Sequence, residues 1–393
     1  MQSQTRSILN NRNVVALGLV SLFNDVASEM AYPIIPIFLT AALGAPIAAV
    51  GLIEGTAEAT ASFLKVFSGR LSDRLRNRKH FTAAGYALSA VSKVVLSLAA
   101  SWTAVFGARF MDRFGKGIRT AARDALIADS SEEGSRGAAF GLHRAMDTLG
   151  AVIGPLAALA LLSLLKNNFS LIFLLSALPA CLGVVILLVF VREPAHERTG
   201  ALRPLTFSLS HFGPDFRRFL LVSMLFSLGN SSDAFLILRS QHLGFSTQES
   251  VLLYVVFNVV YSLLSYPFGR LSDRFGARRV LLASFFLFAL VYAGFGLARE
   301  AAVLWALFPA YGVFMAMNEG VSKAYISNLV PTEERGTAIG LYYTATGITT
   351  FFSSLIAGFF WSALGASSPF LLGGALAAVS GLLFLIPQRT LAR

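Results

Sequence analysis

Long apolar runs alternate with short polar breaks along the whole chain. The apolar segments lie near 14–43, 48–70, 81–101, 102–127, 137–165, 168–191, 216–242, 248–268, 279–298, 302–330, 336–363 and 367–387. Each is long enough to cross a hydrocarbon layer of about 30 Å as a helix, which takes roughly 20 residues. Twelve membrane-spanning helices are therefore expected, and an even number returns the chain to the side on which it began. The pattern lapses at length only once, from Arg192 to Arg218, where Pro194, His196, Pro204 and Pro214 sit among charges. This lapse predicts a linker over 193–215 between a six-helix bundle at 1–192 and another at 216–393.

The two halves share wording. Gly69-Arg70-Leu71-Ser72-Asp73-Arg74 recurs letter for letter as Gly269-Arg270-Leu271-Ser272-Asp273-Arg274, each copy closing an apolar run and opening a basic turn. Ser227-Leu228-Gly229-Asn230 echoes Ser21-Leu22-Phe23-Asn24, and Arg335-Gly336 echoes Arg136-Gly137. An internal repeat on this scale means one architecture built twice.

Composition agrees with the pattern. Hydrophobic residues make up 55% of the chain and charged residues 13%, and mean hydropathy is +0.66, which excludes a soluble enzyme and places the chain among polytopic helical membrane proteins. The single cysteine, Cys181, excludes a disulfide framework and a thiolate metal cluster. The net charge of +11 would suggest nucleic acid in a soluble protein, but its distribution is topological. Of the 32 Lys and Arg, 20 fall on the side of the termini, three (Lys166, Arg239, Arg299) on the other side and nine within spans. By the positive-inside rule both termini are expected in the cytoplasm, in an inner membrane, with no nucleic-acid partner and no cleaved leader.

Against this apolar background the buried charges stand out. Asp25 and Glu29 lie one turn apart in segment one, Glu54 and Glu58 one turn apart in segment two, with Lys65 further along the same face. An ionised group at the bilayer centre costs roughly 2.5–3.5 kcal/mol on insertion scales, so it must face a wet cavity, find a partner or take up a proton. The helix-two stripe of Glu54, Glu58 and Lys65 is readable either as interhelical ion pairs or as cavity lining. Segment four carries Arg109, Asp112, Arg113, Lys116, Arg119, Arg123 and Asp124. Segment five carries His143 and Asp147, a pair that either relays protons or is simply packed. In the second half the polar positions are Asn230, Asp233, Asn318, Glu319 and Lys323, the last two spaced to pair at i, i+4. Apart from Arg279 at the very start of segment nine, segments three, six, nine and twelve hold one charge between them, Lys93.

The repeated turn resembles the signature of the major facilitator superfamily between helices two and three, Gly-x-x-x-Asp-Arg-x-Gly followed by basic residues. The second copy (Gly269, Asp273, Arg274, Gly276) keeps all of it; the first (Gly69, Asp73, Arg74) has Arg76 in place of the last glycine. Arg113 followed by Gly117 and small residues resembles the family's helix-four pattern, which implies that Arg113 is the buried arginine of proton coupling. Gly141, Gly150, Gly154 and Pro155 resemble the antiporter pattern of helix five in drug-exporting branches, with Leu156-Ala157 replacing its closing small pair.

The resemblance implies an all-α major facilitator fold of two pseudo-symmetric six-helix bundles, in which helices one, four, seven and ten line the cavity. The expected function is alternating-access, proton-coupled efflux of a small organic compound by a monomer in the bilayer, with protons and substrate as partners. Alternatives are an anionic or metal-chelating metabolite, or a divalent cation bound through Asp25, Glu29, Glu54 and Glu58. No nucleophile motif or phosphate loop points to an enzyme, and no resident cofactor or metal is expected. The proton carrier is expected in the Asp25/Glu29 pair, whose members repel one another, with Asp112 as the ionised partner of the cationic face. Arg119 and Arg123 are expected to snorkel to water.

Overall fold

The computed structural model describes residues 11–75, 77–131, 136–193, 212–331 and 334–386, excluding the side chains of 66, 67, 69–75 and 136–138. Its helices are α1 (Arg12–Ala31, carried on by Ile35–Ile37 and a π-helical turn Phe38–Ala42), α2 (Ile47–Leu75), α3 (Arg78–Ser97), α4 (Trp102–Asp129), α5 (Arg136–Leu164) and α6 (Phe169–Phe190). These are followed by α7 (Pro214–Gly229, then Ala234–His242), α8 (Thr247–Phe275), α9 (Ala277–Leu297), α10 (Leu304–Leu329), α11 (Arg335–Leu364) and α12 (Ser368–Leu385). No strand occurs among the described residues.

Local chemistry sets several boundaries. Asn11, Asn77, Ser101 and Asn168 each accept a backbone N–H of the helix they precede. Ser246 and Glu249 form a reciprocal capping box at the start of α8. Each satisfies donors that a helix start leaves unpaired. Gly276 ends α8 at φ +89° and Gly365 ends α11 at φ +93°, a backbone region that penalises side chains.

Ten described helices are long and apolar enough to cross a membrane. The expected spans three and four correspond to α3 and α4, with 20 and 28 residues. Both have the length; their charges dilute the apolar signal.

By contacts the chain forms two compact units, Met1–Ala45 with Thr56–Arg203, and Pro46–Gly55 with Pro204–Arg393. The grouping follows packing rather than covalent order at 46–55: a Cβ on Gly51 would lie 2.3 Å from the Ser354 carbonyl of α11. Within the first unit α1 packs on α5 and α6, and α3 packs on α4 and α6. Within the second, α7 packs on α11 and α12, and α9 on α10 and α12. The neighbour pattern repeats at an offset of six helices, the spatial counterpart of the duplicated sequence. Polar pins repeat too: Lys79 Nζ donates to the Leu188 carbonyl at the end of α6 (2.9 Å), and Arg278 to the Phe384 carbonyl at the end of α12 (2.8 Å). Cations there complement the negative end of the helix.

The units differ in what fills them. The second is centred on aromatic rings, with Phe226 against Phe285 at 4.5 Å and Phe288 against Tyr292 at 3.9 Å between centroids. The first buries most of the charge, although Glu54 and Arg239 of the second are buried too.

Candidate functional site

In the first unit, α1 and α5 run side by side in register. Ser21 Oγ lies 2.7 Å from Nε2 of His143, and a Cβ on Gly150 would lie 2.9 Å from the Asp25 Cβ. One turn on, a Cβ on Gly154 would lie 2.6 Å from the Glu29 Cβ and 2.8 Å from the Val26 carbonyl. These two glycines let the backbones meet beside the two carboxylates. The first glycine of the helix-five pattern behaves differently: Gly141 is exposed, with nothing within 4 Å of where its Cβ would stand. Pro155 sits inside α5, where it removes one intrahelical hydrogen bond.

Around Ser21 a buried polar network joins four helices. Its hydroxyl lies 3.1 Å from the Tyr86 hydroxyl of α3 and accepts from Arg123 Nη1 of α4 at 3.1 Å. His143 Nδ1 faces Asp147 Oδ2 at 3.6 Å, and Arg123 also pairs with Asp124 at 2.8 Å. Arg119 is buried, donates to Ser89 Oγ and stacks 4.6 Å over the Tyr86 ring. The expectation that Arg119 and Arg123 snorkel to water is therefore corrected. Both turn inward, because Ser21, Tyr86 and Ser89 supply acceptors and a ring face inside the bundle.

Further along α4, Asp112 pairs with Lys93 at 2.8 Å and with Arg109 at 3.7 Å, all three side chains being buried. Sequence reasoning surrounded Asp112 with cations of its own helix and left Lys93 unassigned. The signal was present, since Lys93 is the lone charge of its segment and a buried charge demands a partner. Arg109 also lies 5.4 Å from the Tyr32 ring centroid. Arg113 pairs with Glu58 of α2 at 3.3 Å.

The predicted helix-two stripe divides. Glu58 and the half-buried Lys65 lie in the first unit, whereas Glu54 lies in the second and accepts from Ser232 Oγ at 3.4 Å.

In the second unit, α7 breaks at 230–233, an interruption absent from the expected continuous span. Within it Ser232 N donates to Ser354 Oγ (3.2 Å), and Tyr311 donates to Asp233 Oδ1 (2.7 Å). On α10, Glu319 accepts from Tyr261, Asn318 accepts from Ser322 Oγ at 3.0 Å, and Lys323 Nζ lies 5.5 Å from the Tyr343 ring centroid. Asn230, Asn318 and Glu319 line a cavity of about 190 Å³ together with Phe226, Tyr342 and Tyr343. The Asn230 Oδ1 atom is buried there with no partner among the described residues. The tyrosines were not singled out in the sequence, because an aromatic in an apolar run carries no mark of its neighbours.

At the repeated turn, Gly269 lies within α8, Asp273 and Arg274 are exposed, and Gly276 donates its N–H to the Ser272 carbonyl at 2.9 Å. In the first copy Gly69 lies within α2, while the side chains of Asp73 and Arg74, and Arg76 altogether, lie outside the described residues.

A sequence profile described as Major Facilitator Superfamily matches residues 17–257 and 219–392. An uncharacterized MFS-type transporter of Methanocaldococcus jannaschii is 37% identical over 383 residues, covering 95% of this chain and 94% of that protein. Multidrug resistance protein 2 of Bacillus subtilis is 28% identical over 144 residues, 36% of this chain and 35% of that one. Among solved structures, a mutant of the nucleoside transporter NupG superposes with a TM-score of 0.81 at 14% identity, covering 95% of this chain and 98% of the other, a likeness of fold.

Proposed function

The chain belongs to the major facilitator superfamily and is thus a secondary transporter, and from that premise we propose that it is a proton-coupled antiporter exporting a small organic compound. It works by alternating access in the cytoplasmic membrane, with both termini inside. The observation that carries the reading is the placement of Asp25 and Glu29 against Gly150 and Gly154. Two carboxylates at membrane depth are set where the adjoining helix presents no side chain, and their ionisation is the costly state. A proton relieves that cost on one face of the membrane and is shed on the other. The pairs Arg109–Asp112 and Arg113–Glu58 hold cations of α4 nearby, so a change of charge on α1 alters the field that they feel.

Substrate enters the picture through the second unit. Its cavity offers the ring faces of Phe226, Tyr342 and Tyr343 beside the Glu319 carboxylate and two amides, a lining suited to a compact organic molecule. The partial likeness to multidrug resistance protein 2, over 144 residues, favours a drug-like organic substrate. The anionic-substrate alternative leaned on the cations of α4, of which Arg109, Arg113 and Arg119 are each engaged by a carboxylate, a hydroxyl or a ring. For the divalent-metal alternative, no group of three His, Cys, Asp or Glu that could hold an ion forms among the described residues.

The test uses proteoliposomes with ethidium as an organic-cation probe. An imposed pH gradient should drive ethidium uphill in the wild type, and Asp25→Asn with Glu29→Gln should abolish that accumulation while leaving exchange at equal pH. Accumulation that survives an uncoupler, or that the double variant performs in full, would overturn proton antiport.

A further inference from the structure

The duplication supplies an internal comparison. The offset that aligns Ser21-Leu22 with Ser227-Leu228 also aligns Arg12 with Arg218 and Asn13 with Phe219. Both arginines reach the end of the last helix of their own unit: Arg12 Nη2 donates to the Val189 carbonyl of α6 at 3.4 Å, and Arg218 Nη2 to the Leu383 carbonyl of α12 at 2.7 Å. Their neighbours differ. Asn13 ties α1 to the chain after α6, its amide donating to the Arg192 carbonyl and accepting the Arg192 N–H, each at 2.9 Å. Phe219 has no polar group to offer and packs inward, 4.8 Å from Tyr325 and 5.7 Å from Phe384 between centroids. The seam between α7 and α12 is left as a groove of about 300 Å³, lined by Arg218, Leu221, Val222, Leu383 and Ile386.

This groove is apolar along its length and cationic at its rim. Leu221, Leu383 and Ile386 are exposed, with Val222 buried beside them. Since α7 begins at Pro214 and α12 ends at Leu385, the arginines stand where the helices leave the apolar layer. Arg278, at the start of α9, donates to the Phe384 carbonyl at 2.8 Å and the Ile386 carbonyl at 3.0 Å, and lines the adjoining cleft with Arg218 and Asp215. Its Nε is buried with no acceptor among the described residues, a donor that the protein leaves unsatisfied. Arg217 and Arg279, next to these two arginines in sequence, are exposed. Four guanidinium groups against the Asp215 carboxylate leave an excess of positive charge, and each guanidinium has five N–H donors, more than the helix-end carbonyls use.

The adjoining stretches of chain do not complement that charge. Residues 194–211 and 387–393 carry Arg198, Arg203, Arg389 and Arg393 against Glu197. A complementary occupant has a hydrocarbon tail for the groove and an anionic head for the rim. We propose that the α7–α12 groove binds an anionic phospholipid, with one acyl chain lying over Leu221, Val222, Leu383 and Ile386 and the phosphate meeting the guanidinium groups of Arg217, Arg218 and Arg278. The bilayer is a ligand here as well as a solvent. The groove shares no lining residue with the cavity of Asn230 and Glu319, so the site goes beyond the transport reading and does not depend on it.

The experiment places a fluorophore at the groove. Full-length protein carrying Leu221→Trp is reconstituted in vesicles of phosphatidylcholine with a minor fraction of phosphatidylglycerol, and one lipid or the other is supplied with brominated chains, which quench tryptophan on contact. The signal of Trp102, Trp305 and Trp361 is measured in the parent protein and subtracted. Phosphatidylglycerol should be preferred at the groove by roughly tenfold, and Arg217→Gln and Arg218→Gln should each cut that preference about fivefold at low salt. Arg218→Lys keeps the charge and should keep the preference, which separates lost charge from lost packing against α12. Arg12→Gln, the equivalent change in the first unit, should leave it unaltered, and a probe introduced by Leu290→Trp on the exposed side of α9 should show no comparable preference. Equal quenching by the two lipids at the groove, or a preference that survives the loss of both Arg217 and Arg218, overturns the proposal. So does quenching that appears only after residues 387–393 are deleted, because the occupant is then the protein's own tail. The measurement uses neither substrate nor pH gradient, so its failure and the failure of antiport are separate results.

Discussion

Gly154→Ala tests the α1–α5 contact with one methyl group. The added Cβ would lie 2.6 Å from the Glu29 Cβ and 2.8 Å from the Val26 carbonyl, where ordinary contact begins at 3.4 Å, so one neighbour must retreat by 0.8 Å. Both obstacles belong to the body of α1 and neither is a flexible tip, so the helices must separate. Overpacking of this kind costs about 1–3 kcal/mol. Against it stands the gain in helix propensity on replacing glycine by alanine, about 1 kcal/mol. Gly141→Ala supplies the control, since it collects the same propensity on the same helix with nothing within 4 Å. The propensity cancels in the comparison, and the difference between the variants is the packing cost alone, about 1–3 kcal/mol. At roughly 2–4 °C per kcal/mol, Gly154→Ala should melt several degrees below Gly141→Ala. Gly150→Ala, with its Cβ 2.8 Å from the Leu22 carbonyl, should fall with Gly154→Ala. Intrinsic tryptophan fluorescence of the purified protein is the assay; a thiol-reactive dye would report early, because Cys181 is already exposed. If all three variants melt together, the glycines do not set the approach of α1 to α5, and the case for Asp25 and Glu29 facing bare backbone collapses.

Lys93→Met should destabilise by about 3–5 kcal/mol, because it strands a buried Asp112 with only the longer Arg109 contact. The double variant Lys93→Met/Asp112→Leu should recover much of that loss in the same melt, and a single variant as stable as the wild type would deny the pair its importance. Arg119→Ala should cost about 2 kcal/mol through loss of the desolvated Tyr86 stack, whereas Arg113→Ala should cost under about 1 kcal/mol, since its partner Glu58 is 39% exposed and reaches water. In the ethidium assay the order should reverse, with Arg113→Ala the more damaging to pH-driven movement. Asp73→Asn and Asp273→Asn should each slow ethidium exchange without reducing the amount of protein inserted, and normal rates in both would remove any gating role from the repeated turn.

Much of this molecule was legible in the chain. Length and polarity of the apolar runs are local properties, and the bilayer thickness converts them directly into helices. The duplicated hexapeptide announced two units, and α1–α5–α6 with α7–α11–α12 is that duplication in packed form. Gly276 was legible as well, since only glycine ends a helix comfortably at φ +89°. That Asp25, Glu29, Asp112 and Arg113 are costly charges needing company also followed from sequence. The identity of the company did not. Lys93 meets Asp112 across 19 residues and Ser21 meets His143 across 122, distances over which no spacing rule operates. Arg119 and Arg123 looked able to reach water, and the decision to turn inward belonged to Tyr86, Ser89 and Ser21 on other helices. Of Gly141, Gly150 and Gly154 only the latter two meet α1, and here the spacing itself decides, since nine residues at 100° each set Gly141 half a turn from Gly150 while Gly154 lies only about 40° from it. Sequence marks where charge and small residues occur along each helix; which of them share a site depends on how the helices rotate and pair, and only the tertiary structure decides that.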